Sequence, residues 1–120
     1  MEVTEVPAGL PWPVTVQKFG GTSVGDIARL RKVAARVARV TASGSKAVVV
    51  VSAMGRTTDQ LIRLAREISP RPSRRELDVL LATGEQQSMA LLRMALHELG
   101  VNARSFSGKQ AGIITDSLFG

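Results

Sequence analysis

The sequence predicts an α/β protein, a three-layer sandwich on a mainly parallel sheet, and three observations predict it. Ala47-Val48-Val49-Val50-Val51-Ser52-Ala53 is continuously apolar and β-branched, with no polar alternation. That is the pattern of a central strand buried on both faces. Segments with helical apolar spacing flank it. Gly-bearing polar turns punctuate the chain so that the elements run β-α-β-α-α-β-β, the order of a sandwich with crossover connections.

Each element has its own signal. Residues 1–13, with Pro7, Pro11 and Pro13, read as a flexible arm, and residues 14–120 as the domain. Val14-Thr15-Val16-Gln17-Lys18-Phe19 is a short β-rich run ended by the pair Gly20-Gly21. A helix is expected from Asp26, where Ile27, Leu30, Ala34 and Val37 make one apolar stripe, and Ser43-Gly44-Ser45 ends it. After the central strand, Met54-Gly55-Arg56-Thr57-Thr58 leads to a second helix with the stripe Leu61, Leu64, Ala65 and Ile68, capped by Thr58 or Asp59. Pro70-Arg71-Pro72 breaks that helix, and Ser73 with Glu76 forms a capping box for a third. A kink or break is expected at Gly84; Met89, Leu92, Leu96 and Leu99 continue the stripe, with Met89 and Met94 as core filler and Gly100 at C′. Further strands are expected at 103–106 and 113–115, joined by the loop 107–112.

Composition narrows the functional classes. With 120 residues, 44% of them hydrophobic, the chain has the makings of about one folded domain. It has no cysteine, which removes disulfides and Cys-based zinc sites. Absent disulfides suit a reducing compartment. The N-terminus carries two early acids and no apolar h-region, so no signal peptide is read there. The longest apolar run is far too short to span a bilayer. These features predict a soluble, cytoplasmic protein with no membrane partner. A net charge of +6 raises the question of nucleic acid. With three Phe, one Trp and no Tyr, stacking platforms are scarce, and the arginines are spread over several segments, so no nucleic-acid partner is expected. A mild positive field also suits anionic small substrates.

In a parallel sheet, ligands gather beyond the carboxyl ends of the strands. The loops 18–25, 52–58 and 107–112 all fall at that edge. Gly20 and Gly21 let the backbone approach an anion, with Lys18 as a point charge and Thr22 and Ser23 as hydroxyl donors. The same residues equally suit an ordinary turn in which Ser23 caps a helix. Neither known phosphate fingerprint explains them. G-x-G-x-x-G fails at Thr22 and Ser23, and the Walker pattern fails around Gly108-Lys109, where Ala103 and Gln110 depart from it. Ser52, Thr57 and Thr58 could hold a carboxylate or simply cap. Glu85 beside Gly84 could be functional or a solvated helix acid. His97, the lone histidine, suits a helix C-terminus, so neither a metal site nor a Ser-His nucleophile is read.

Taken together, four blocks resemble aspartate kinases in order and spacing: Lys18-Phe19-Gly20-Gly21-Thr22-Ser23-Val24, Val50 through Asp59, Gly84-Glu85-Gln86, and Ser105 through Gly112. The resemblance covers about residues 14–120 and is closest to bacterial lysine- and threonine-pathway enzymes. It implies the amino-acid kinase fold and transfer of the ATP γ-phosphoryl group to the β-carboxylate of L-aspartate, aided by Mg²⁺. It further implies Lys18 at the transferring phosphoryl group, Gly20 and Gly21 on phosphates, Ser52 and Thr58 on aspartate, and Glu85 on its ammonium group. Members of the family continue well beyond this length. The resemblance therefore implies either part of a longer enzyme or a short form that needs a partner, with adenine and much of the Mg²⁺–triphosphate held elsewhere. A half-built sheet would expose an apolar edge, which favours an oligomer or association with the remaining portion. The alternatives are a sister amino-acid kinase with another acceptor and a non-catalytic module of the same fold.

Overall fold

The computed structural model describes residues 2–5, 9, 11–108 and 110. Its order is β1 (Glu2–Glu5), β2 (Val14–Phe19), α1 (Ile27–Ala42), β3 (Lys46–Val51), α2 (Thr57–Ile68) and α3 (Arg74–Glu98). The β2-α1-β3 segment is the expected crossover unit: β2 and β3 pair in parallel, from Val14 with Lys46 to Phe19 with Val51. β1 adds an antiparallel strand on the far side of β2, Glu2 opposite Lys18 and Glu5 opposite Thr15. The sequence reading has a loose arm there.

Strand alternation decides which face is covered. Ala47, Val49 and Val51 pack toward Phe19, Leu30, Val33, Ala34, Val37, Leu92 and Leu96, the core formed where α1 and α3 lie on the sheet. Burying each large side chain in that set is worth about 1.5–3 kcal/mol. Val48 and Val50, on the opposite face of β3, are about half exposed, 49% and 48%. The expectation of a strand buried on both faces is thus met on one face. Among the described residues the sheet order is β1-β2-β3, which puts β3 at an edge. The described helices that contact the sheet, α1 and α3, lie on one side of it.

Local chemistry sets the helix ends. Asp26 accepts from the Arg29 amide and starts α1; Ser73 accepts from the Glu76 amide and starts α3. Gly44 and Gly100 take positive φ just past α1 and α3. At Gly100 the bonds from its own amide to His97 O and from the Val101 amide to Leu96 O, both 2.9 Å, make a Schellman motif.

Several expectations are corrected. α3 runs unbroken for 25 residues through Gly84, although glycine in a helix interior costs about 1 kcal/mol against alanine. The reason is close packing: a Cβ at Gly84 would come 3.0 Å from Ala53 Cβ and 3.3 Å from Thr57 Cγ2. Residues 101–107 form no strand; no described strand pairs with them, and a strand needs a ladder partner. Val101 and Ala103 nevertheless pack against the core. The strand expected at 113–115 lies outside the described residues. The stripes of α1 and α2 are only partly buried: Ile27 is exposed, α2 buries no residue fully, and Leu64 and Ile68 face solvent. Met94 is exposed too, while Met89 is half-buried.

Candidate active site

Two strand-to-helix turns meet at the carboxyl edge of the sheet. The first runs from Gly20 to Asp26. Its amides fold back on themselves, Ser23 N donating to Gly20 O at 3.0 Å and Gly25 N to Thr22 O at 3.4 Å. Asp26, in extended backbone, closes it by accepting from the Arg29 amide at 2.8 Å. The Arg29 side chain then reaches back, Nη1 donating to Thr22 O at 3.0 Å. The cap is therefore Asp26 and not Ser23, whose hydroxyl is left out of that role.

The second turn, Ser52 to Arg56, is laced to the first through backbone. Ser52 N donates to Phe19 O at 3.2 Å, and Gly55 N to Gly21 O at 3.2 Å. Glycine is required at this seam for two physical reasons. Gly55 has φ +44°, and a Cβ on it would lie 3.1 Å from Gly25 O. A Cβ on Gly21 would lie 3.2 Å from Ala53 O. Met54 O accepts from the Thr57 amide at 2.9 Å, and α2 starts at Thr57, two or three residues earlier than a cap at Thr58 or Asp59 would place it. Arg56 occupies the N-cap position without a side-chain hydrogen bond, and Thr57 and Thr58 fall in the first turn instead of capping it.

Between the two turns lies an open cleft of about 520 Å³, lined by Thr22, Gly25, Asp26, Arg29, Met54, Gly55, Arg56, Thr57 and Gln60. Of the residues predicted from sequence, Thr22 lines the cleft itself, and Gly21 forms its backbone seam. Gly20 and Ser23 belong to the first turn; Ser52 and Thr58 flank the lining stretch and are half-buried. Lys18 is exposed on β2, at the register position of Val50, two residues before Ser52. Glu85 is exposed on α3, next to the glycine that touches Ala53 and Thr57. In the third loop, Ser107 and Gln110 brace one another through Gln110 Oε1 and Ser107 Oγ, and residues 109, 111 and 112 lie outside the described residues.

Sequence reasoning gives no site role to Arg29, which reads as a solvated helix charge, or to Arg56, which reads as part of the Gly-bearing loop after the central strand. The available signal was their position, three residues after a cap and one before a threonine pair. Two guanidiniums, a threonine pair and glycine backbone suit an anion. The one cleft carboxylate, Asp26, is committed to the α1 cap, and among the described residues no three His, Cys, Asp or Glu side chains cluster. The set does not fit a divalent ion.

A match to the amino acid kinase family runs from residue 13 to residue 118. The chain belongs to the amino acid kinase family. The match starts one residue before β2, so β1 lies outside the part shared with the family. Among curated relatives, the aspartokinase of Geobacillus stearothermophilus is 58% identical over 107 residues, 89% of this chain and 26% of that protein. The aspartokinase of Thermus thermophilus is 54% identical over 107 residues, again 89% and 26%. Aspartokinase 2 of Bacillus subtilis is 53% identical over 105 residues, 88% and 26%. The crystal structure of aspartate kinase from Synechocystis superposes with a TM-score of 0.69 at 58% identity, covering 72% of this chain and 15% of that one. The chain thus spans about a quarter of the length of these curated relatives. No described helix is long and apolar enough to cross a membrane.

Proposed function

We propose that this chain carries the carboxylate and phosphoryl side of an aspartate kinase site, which moves the γ-phosphoryl group of ATP to the β-carboxylate of L-aspartate. The observation that carries the reading is the clasp between the two turns, with Gly55 N on Gly21 O at 3.2 Å. It holds a phosphate-suited turn against a hydroxyl-bearing one. The aspartokinase relatives, at 53–58% identity, point the same way.

The chemistry asks for no protein nucleophile. An ionised β-carboxylate oxygen attacks the γ-phosphorus in line, the bond from that phosphorus to the ADP oxygen breaks, and β-aspartyl phosphate forms without a proton being removed. Catalysis is then positioning plus neutralisation of phosphoryl charge. In this reading Lys18 supplies the charge, the amides of Gly20 and Gly21 with the hydroxyls of Thr22 and Ser23 hold phosphate oxygens, Ser52 and Thr58 hold aspartate, and Glu85 takes its ammonium group. Mg²⁺ in such reactions is held largely by phosphate and water; the cleft residues do not fit it, and no step is assigned to it. Adenine would be held by parts of the fold outside the described residues, and a cytoplasmic location goes with the reaction.

The test is an acyl-phosphate assay on the protein as its gene encodes it, with ATP, Mg²⁺ and L-aspartate and with hydroxylamine as the trap. Aspartate-dependent hydroxamate is expected. Hydroxamate formed with another amino acid or carboxylate in place of aspartate, and none with aspartate, would overturn the substrate assignment.

A further inference from the structure

The contact between α3 and the second turn has a consequence for the substrate side of the site. Ala53 is 5% exposed and lies between two glycines. On one side its carbonyl oxygen stands 3.2 Å from where a Cβ of Gly21 would be; on the other, its methyl group stands 3.0 Å from where a Cβ of Gly84 would be. The turn is tied at both ends, by Ser52 N on Phe19 O and Gly55 N on Gly21 O, which resists a shift that would make room. Thr57 Cγ2 and Leu61 Cδ1, 3.3 and 3.7 Å from the same Cβ position, extend the contact into the first turns of α2. The thickness of one alanine therefore sets how closely α3 approaches the two turns.

We propose that Gly84 is a positioning residue: its contact with Ala53 fixes the distance of Glu85 from the Ser52–Thr58 loop, and so the separation between the ammonium and carboxylate ends of the bound amino acid. The inference rests on the aspartate reading given above. A methyl group on Gly84 has no room against a braced neighbour, so α3 moves outward by a few tenths of an ångström and carries Glu85 with it. The helix itself is not weakened, since alanine is the better helix former.

The experiment is a swap. Gly84→Ala is expected to raise the KM for aspartate roughly threefold to tenfold, scaled down from the roughly hundredfold cost of a 1 Å misplacement. The KM for ATP and the helix content by circular dichroism should stay unchanged. Adding Ala53→Gly returns the room on the other side of the contact, and the double variant should recover the aspartate KM. Unchanged kinetics in Gly84→Ala overturn the proposal. So does an equal loss in all parameters, or a double variant no better than the single one. If the unmodified protein makes no aspartyl phosphate, the aspartate reading has failed separately. The spacer is then judged by the backbone amide shift of Thr58, remote in sequence from Gly84, which must move in Gly84→Ala and return in the double variant. A shift that stays in place overturns it.

Discussion

The two turns at the carboxyl edge of the sheet have the same task, to leave a strand and begin a helix, and they do it differently. The Gly20–Asp26 turn is self-sufficient. Asp26 caps α1, Arg29 ties down Thr22 O, and the turn's own amides close it. The Ser52–Arg56 turn has no side-chain cap, and beyond its own bond from the Thr57 amide to Met54 O what holds it is borrowed: Phe19 O from the end of β2, Gly21 O from the first turn, and close packing against Gly84 from α3. A turn held from outside keeps its own hydroxyls uncommitted. None of Ser52, Thr57 and Thr58 serves as the α2 cap, which fits their proposed role toward substrate. The self-capped turn spends its carboxylate on structure and offers backbone, hydroxyls and arginine to an anion.

The largest expected effect probes the first turn's chemistry and not its architecture. Lys18 is exposed at the end of β2, so Lys18→Ala should leave the fold intact. If the lysine neutralises charge that develops on the transferring group, kcat should fall about a hundredfold to a thousandfold. The KM for aspartate should move by less than about threefold, because ground-state binding is shared among other groups. A variant that loses aspartate affinity at unchanged kcat would shift Lys18 to the carboxylate side. Next in size is the seam. Gly55→Ala puts a Cβ at φ +44° and 3.1 Å from Gly25 O. The left-handed conformation alone costs roughly 1–2 kcal/mol, and the neighbouring backbone has nowhere to go. A drop of about 2 kcal/mol in urea-unfolding stability at an unchanged m-value is the expected result. Wild-type stability would mean that the second turn relaxes without the first.

What could be read before the structure was what local chemistry determines. Asp26, Ser73 and Gly100 were legible as helix ends because capping involves residues within four positions of one another. The parallel β2–β3 pair followed from the uninterrupted valines and the helix between the strands. The misreadings share a different cause. Helical spacing shows which side of α2 is apolar but not what covers it, and Ile68 is 90% exposed. Gly84 carries the composition of a kink, yet its missing Cβ answers to Ala53, 31 positions earlier. That the two Gly-bearing turns come together at one cleft was legible from their glycines and hydroxyls and their place after parallel strands. Arg29 was not, since an arginine on an amphipathic helix looks solvated until the facing turn is known, and neither was Arg56, a loop residue whose neighbours across the cleft are distant in sequence.

The smallest effects test the comparison most directly, because they remove what each turn has or lacks at its helix start. Asp26→Ala removes a side-chain cap, and about 1 kcal/mol of stability should go with it. The pairing of Arg29 Nε with Asp26 Oδ2 at 3.9 Å adds little, as both side chains are more than half exposed. Arg56 stands at the matching position of α2, makes no capping hydrogen bond and is exposed. Arg56→Ala should therefore leave stability within about 0.5 kcal/mol of wild type. The two substitutions, measured side by side in urea, have a simple arithmetic. A clear cost at 26 and none at 56 means that the second turn is held by its neighbours. Equal costs would mean that Arg56 braces its own turn, and the division between a self-capped and a borrowed turn would fall.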